Sequence, residues 1–198
     1  MVSKLKLALA QFGNSYGGQQ SLPLSVGCVY SMAKGRGIAK EYEEPTFLYK
    51  KESISKSLAR LDPKPDVFAL STYVWNWEYS RALAKAVKEV SPYTIIVYGG
   101  VHVPDHPADE WWGEHRECDF ALHGEGELSF SRFMEEFAGN RDWSLVPGLS
   151  NRDGLYVERK FPSVDELRSP YLDGVFDRIL PQEARWSSLQ ETNRGCPY

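Results

Sequence analysis

The sequence predicts a doubly wound α/β domain, and three observations carry that prediction. Five short apolar runs alternate with five helix-like segments within residues 1–140, the pattern of parallel strands joined by crossover helices. The run at 66–71, Asp-Val-Phe-Ala-Leu-Ser, is apolar on both of its faces, as strands are when helices cover both sides of a parallel sheet. Four of the strand ends are followed by glycines or small hydroxyl residues, and ligands of open α/β sheets bind beyond the carboxyl ends of the strands.

Each element has a local reason. Residues 5–10 read as a buried first strand, running into the loop from Gln11 to Gly18. Residues 22–34 have helical apolar spacing, with Pro23 suited to a first turn and Gly35 and Gly37 as stop signals. A short second strand is expected at 46–49, and a helix from Ser53 to Leu61, closed by Pro63 and Pro65. The third strand, 66–71, precedes the clearest helix, 78–90. Leu83, Ala86, Val87 and Val90 form its stripe and Ser91-Pro92 ends it. Residues 93–98 form a fourth strand stopping at Gly99-Gly100, and 108–112 a short helix. A fifth strand at 119–122 leads through Gly124-Glu-Gly-Glu127 into a helix ending near Phe137. Beyond Gly139 the pattern changes. A hairpin around Asp153-Gly154 is expected at 149–157, and an extended linker at 162–177.

Composition narrows the classes. The chain has 198 residues and a formal charge of −4 with both signs interspersed, which leaves no nucleic-acid footprint. It contains no apolar run of the roughly 18 residues that a membrane span needs. The opening Met-Val-Ser-Lys-Leu-Lys-Leu lacks the apolar stretch of a signal peptide. Cys28, Cys118 and Cys196 are odd in number and far apart, which points away from a disulfide framework and towards a reduced, cytoplasmic setting.

The candidate site lies at the strand ends. The first loop offers Asn14, Ser15 and Tyr16 between glycines; the third strand ends in Ser71, Thr72, Tyr73, Val74 and Trp75. The fourth ends in Gly99, Gly100, Val101 and His102, and the fifth in Gly124, Glu125, Gly126 and Glu127. Glycines admit a ligand close to the backbone, and small hydroxyls give adaptable hydrogen bonds. Tyr73, Trp75 and Tyr98 are candidates for flat walls. The set suits a large, partly planar molecule better than a small charged metabolite.

The ordered set resembles a known family. The Ser-Thr strand end, Gly99-Gly-Val-His102 and His123-Gly-Glu-Gly-Glu127 are followed by Ser169-Pro-Tyr-Leu-Asp-Gly174 and Glu191-Thr-Asn-Arg-Gly-Cys196. That succession is similar to the N-terminal cobalamin-binding domain of B12-dependent radical SAM proteins. The resemblance implies a flavodoxin-like, Rossmann-like sheet of five parallel strands in the order 2-1-3-4-5, with the corrin over the strand ends. It places the nucleotide tail beside Ser71, Thr72, Gly99 and Gly100, and residues 124–127 along the far side of the corrin. Cys196 resembles the first cysteine of the C-x3-C-x2-C loop that holds a 4Fe–4S cluster in that family. The chain stops two residues later, so Cys196 is expected to be a metal ligand only in a full-length chain.

The division implied is a cobalamin-binding domain at 1–140, a hairpin and linker at 141–180, and the start of a radical SAM domain at 181–198. The parent is expected to use cobalamin, a 4Fe–4S cluster and S-adenosylmethionine, with the barrel of the same chain as partner. The fragment itself is expected to bind rather than catalyse. One departure is the first loop, which lacks the D-x-H-x-x-G histidine that ligates cobalt in many cobalamin domains; Asn14, Ser15, Tyr16 or a water is left to face the metal.

Other readings are weaker. His102 and His106 have i, i+4 spacing, but Pro104 and Pro107 oppose a helix there and no third ligand is evident. Glu125 and Glu127 suit a helix start better than a catalytic pair. Cys28 and Cys118 read as packed, and His115 as a surface residue. No P-loop or G-x-G-x-x-G is present. A flavodoxin-like electron carrier would wrap FMN phosphate in the first loop, yet leaves Gly99-Gly100 and the C-terminal motif unexplained. A receiver domain needs acids where Gln11 and Ser71 stand. A non-binding scaffold is the remaining alternative.

Overall fold

The computed structural model describes residues 3–15 and 17–191. Tyr16 and Cys196, both named above as site residues, lie outside the described residues.

Five parallel strands form the centre: β1 (Leu7–Ala10), β3 (Thr46–Leu48), β4 (Val67–Ser71), β5 (Ile95–Gly99) and β6 (Phe120–Leu122). A two-residue strand, β2 (Gln20–Ser21), precedes β3 in the chain but lies outside this sheet. The sheet runs β3-β1-β4-β5-β6, which is the expected order 2-1-3-4-5 when the central strands alone are counted. A sixth strand, β7 (Leu149–Asn151), joins the β6 edge antiparallel. It is the first arm of the expected hairpin, whose return is tied by Val157 N donating to Leu149 O at 2.8 Å.

Helices cover both faces. On one side lie α1 (Leu24–Gly35) and α5 (Gly126–Ala138), whose Val26, Tyr30, Phe130 and Phe133 pack on Leu9, Ala69, Val97 and Leu122. On the other lie α2 (Ile54–Arg60), α3 (Trp77–Val90) and α4 (Asp109–Glu114), against Ala8, Phe68, Ile96 and Ala121. The alternation of strand side chains assigns each residue to one layer or the other. Ser53 caps α2, its hydroxyl accepting from Lys56 N at 3.4 Å. Among the described residues no helix is long and apolar enough to cross a membrane.

The segment at 162–177 is more than a tether. It turns repeatedly and lies along α1, with Val175 and Phe176, and Ile179 just after it, buried in the core. Phe176 fills the notch left by Gly27, where a Cβ would collide with its ring. Arg168 forks onto Asp173 at 2.8 and 2.6 Å, and Asp173 also accepts from Ser31. The contacts of Phe176 with Gly27 and of Asp173 with Ser31 are long-range in sequence, so no local periodicity announces them. The chain then forms β8 (Trp186–Ser187), which pairs parallel with β2.

Candidate cofactor site

A cleft of about 1060 Å³ opens at the carboxyl ends of β1, β4, β5 and β6, between the sheet and the α1–α5 layer. Its wall follows the two-residue period of the strands. Leu9 and Gln11 line it from β1, Ala69, Ser71 and Tyr73 from β4, Val97, Gly99 and Val101 from β5, and Leu122 and Gly124 from β6. The helices contribute Ser25 and Val29 from α1, and Glu127 and Phe130 from α5.

The same period accounts for Thr72 and Tyr98, two of the expected residues that do not reach the cleft. Thr72 is buried and faces its neighbour strand, its hydroxyl donating to Gly99 O at 2.8 Å. Tyr98, expected as a flat wall, is fully buried on the opposite face, its hydroxyl 3.1 Å from Glu117. His102 packs on the Trp77 ring at 4.6 Å. Val74 is exposed and outside the lining, as are Asn14 and Ser15. Asn14 instead accepts from Lys51 Nζ at 3.1 Å. Ser71, Tyr73, Trp75, Gly99, Gly100, Val101, Gly124, Glu125, Gly126 and Glu127 are brought together around the opening.

The β4 end is organised by one buried side chain. Asn76 stands at the N-cap position of α3 but makes no cap bond. Its amide instead donates to Phe12 O at 3.2 Å and Ser71 O at 3.1 Å, and accepts from Tyr73 N at 2.8 Å. The turn this fixes places Tyr73 and Trp75 in a parallel stack, centroids 4.5 Å apart with 9° between planes. Tyr73 and Ser25 share a hydrogen bond at 2.6 Å, and Ser25 N donates to Gln11 Oε1 at 2.7 Å. Loops after β1 and β4 and the start of α1 are thereby tied into one wall.

Two glycines differ in their reason for being glycine. Gly100 has φ +96°, and a Cβ there would lie 2.6 Å from Thr72 O, so its backbone forbids a side chain. Gly99 has ordinary dihedrals, and its Cβ would meet Leu122 O only at 3.9 Å. The space beside Gly99 belongs to the cleft.

Charge in the lining is one-signed. Asp105, Glu125, Glu127 and Glu191 border the cleft, and a nearby cation, Arg159, pairs with Asp105 at 3.3 Å behind Gly124 without lining the cleft itself. The amino end of α5, which would otherwise attract an anion, carries Glu125 and Glu127. Glu127 is buried in the first turn of α5, in keeping with a helix-start role.

Away from the cleft, His115 corrects the expectation of a surface residue. It is buried between the Trp77 and Trp111 rings, 5.1 and 4.6 Å away. Burial, with Arg81 nearby, pushes its pKa down. His123 is also buried, bonded through Nε2 to Ser150 Oγ at 2.7 Å, with a pKa lowered by burial. Cys118 is buried as expected, whereas Cys28 is half-exposed on the cleft wall. No group of three or more His, Cys, Asp or Glu positioned for a metal occurs among the described residues. Pattern reading missed Ser25, Asp105, Phe161, Leu189 and Gln190 of the lining. Only Ser25 had a local signal, as the second residue of a helix that starts at a strand end.

No protein-family profile matches the chain. It is 39% identical over 168 residues to 2-(S-pantetheinyl)-carbapenam-3-carboxylate methyltransferase of Streptantibioticus cattleyicolor, covering 80% of this chain and 24% of that protein. It is 36% identical over 190 residues to the cobalamin-dependent radical SAM methyltransferase TokK of Streptomyces tokunonensis, covering 89% of this chain and 27% of that protein.

Most of the chain is homologous to a segment of these methyltransferases.

It spans about a quarter of the length of these relatives. The fold agrees. OxsB, a cobalamin-dependent S-adenosylmethionine radical enzyme solved with aqua-cobalamin and S-adenosylmethionine, superposes with a TM-score of 0.74 at 17% identity. The match covers 98% of this chain and 27% of that one.

Proposed function

We propose that this chain is the cobalamin-binding module of a B12-dependent radical SAM protein. One observation carries the reading: the cleft at the strand ends is large, flat-walled by the Tyr73–Trp75 stack, and free of cationic side chains among the described residues. Cobalamin suits it on three counts. The corrin is broad and planar, its periphery carries amides that donate to carboxylates, and its narrower nucleotide arm matches the space beside Gly99. Carboxylates at the start of α5, Glu125 and Glu127, would accept from the amides, and Ser71 and Gly99 would admit the arm. With no histidine in the described lining, imidazole ligation of cobalt from this wall is not expected.

Bound cobalamin would supply a transferable methyl group to radical chemistry begun by S-adenosylmethionine and a 4Fe–4S cluster elsewhere in the full-length protein. The residues of this chain hold and orient it, and exclude water from the strand-end side. The partition into a cofactor domain at 1–140, a hairpin and linker at 141–180 and the start of a radical SAM domain at 181–198, in a cytoplasmic protein, belongs to the same proposal.

The electron-carrier alternative has less support: at the start of α1, beside the loop that would wrap the flavin phosphate, the Ser25 N–H is already given to Gln11. Titration with hydroxocobalamin, followed by absorbance and calorimetry with FMN as control, decides between them. Saturable one-to-one cobalamin binding, weakened by Gly99→Leu, is expected. Tight FMN binding without cobalamin uptake would overturn the proposal.

A further inference from the structure

Strand β8 belongs to a strap, residues 180–191, that is fastened to the domain by few contacts. The chain just before it is anchored, with Val175, Phe176 and Ile179 in the core. From Pro181 to Glu191, by contrast, no side chain is buried. The ladder of β8 with β2 is two residues long, with Gln20 N donating to Arg185 O and Leu22 N to Ser187 O, each at 3.1 Å. A pairing that short is marginal in water by itself. Side chains fasten the strap instead. Lys50 forms an ion pair with Glu183. The Tyr49 hydroxyl lies 3.1 Å from both Gln182 Oε1 and Glu183 Oε1, and its ring packs on Trp186 with centroids 5.0 Å apart. Burial, together with the Glu183 carboxylate, pushes the Tyr49 pKa up to about 12, so this hydroxyl keeps the proton it donates. Within the strap, Trp186 Nε1 donates to Leu180 O at 2.8 Å, which ties residues 180–186 into one unit. Leu189, Gln190 and Glu191 follow and border the cleft, with Leu189 O accepting from the Tyr171 hydroxyl at 2.6 Å.

We infer that the strap is a gate: residues 180–191 detach from β2 and Tyr49 as a unit while the main sheet stays folded, and this opening sets how fast the ligand of the cleft enters and leaves. The identity of that ligand rests on the cobalamin reading above; the gate concerns how it is exchanged. The physical reason is an uneven distribution of stability. Local opening costs less than global unfolding where a segment buries little apolar surface. The strap is such a segment, whereas the sheet behind it holds Leu9, Ala69, Val97 and Leu122 in the core. The main fastenings also stand apart from what the strap encloses. Tyr49, Lys50 and Glu183 do not line the cleft. They therefore set how often the strap opens without touching a ligand inside, which makes gating separable from binding.

The test uses the 198-residue chain and reads opening and ligand exchange separately. Amide hydrogen exchange followed by NMR reads the opening, because Gln20 N and Leu22 N donate to the strap while the amides of β4 and β5 lie within the main sheet. In the wild-type chain Gln20 and Leu22 are expected to exchange faster than β4 and β5. Stopped-flow mixing with hydroxocobalamin reads ligand entry and exit. Lys50→Met and Tyr49→Phe each remove one fastening and keep most of the side chain. Each should speed exchange at Gln20 and Leu22 about threefold to tenfold. Each should also raise the association and dissociation rates of hydroxocobalamin by a similar factor, so that Kd hardly moves. A faster dissociation alone, with weaker binding, would mark a merely structural loss and overturns the gate. Faster amide exchange with unchanged ligand rates overturns it as well. So does exchange of Gln20 and Leu22 in step with β4 and β5, since the strap would then open only when the whole domain unfolds. In these cases the wild-type chain still binds hydroxocobalamin and the cofactor reading survives. Failure of the wild-type chain to bind overturns the cofactor reading, and the gating of that ligand with it.

Discussion

At the scale of single residues, the site is built by side chains whose work is done on the backbone around them. Gly100→Ala should destabilise the protein by roughly 1–3 kcal/mol whether or not ligand is present, because the strain lies against Thr72 and not in the cleft. Gly99→Ala should leave stability nearly unchanged. Denaturant titration of the two variants with and without hydroxocobalamin separates these outcomes. His115 carries a second prediction. Its folded-state pKa lies below the usual 6.5, so the unfolded chain takes up the proton first as pH falls. Stability is full above that value and declines as pH drops through it towards the folded pKa. His123 is shifted the same way and adds to the decline. The urea midpoint should therefore fall between about pH 7.5 and about pH 5.5, and His115→Phe should make the fall shallower.

At the scale of elements, the strands and helices were legible because their signals are local. The 66–71 run shows on its own that it is buried on both faces, and the 78–90 stripe shows its own period. Site residues were legible only in part, because a contiguous motif such as Ser71-Thr-Tyr-Val-Trp75 hides the alternation that turns Ser71 and Tyr73 to the cleft and Thr72 away. Tyr98 and Gly99 divide in the same way on β5. The packed segment after residue 162 was illegible for another reason. Its partner for Phe176 is an absent side chain, Gly27, about 150 positions earlier. A glycine inside a helix reads as weakness until the ring that fills it is known. Phe176→Ala should cost about 3–5 kcal/mol, measurable by urea denaturation. Gly27→Ala should destabilise as well, by expelling the ring.

At the scale of the whole molecule, the two faces of the sheet have different duties. The α2–α3–α4 face is a closed core with its own buried polar group, Tyr98 and Arg81 meeting at Glu117. The α1–α5 face is left open at one end, and the space there is the cleft. A ligand filling it should act on global stability. Cobalamin at about one hundred times its Kd is expected to add about 2.7 kcal/mol to unfolding, read as a rise in thermal midpoint, with FMN at equal concentration giving none. The charge of the lining was in the sequence throughout. Which acids share a wall depends on the strand order, and composition alone reports only a net −4.

The pairing of β2 with β8 gives the molecule an order of assembly in time. Gln20 leaves the ribosome well before its partner Trp186, so this small ladder forms only after every strand of the main sheet has been made. Leu189 and Gln190, which follow it and border the cleft, arrive later still. A nascent chain released as far as the β7 hairpin already holds every strand of the main sheet and both flanking helices, with that side of the cleft unwalled. On the proposed function, a cofactor would have a period during translation in which to enter laterally, before Leu189 and Gln190 are laid beside the cleft.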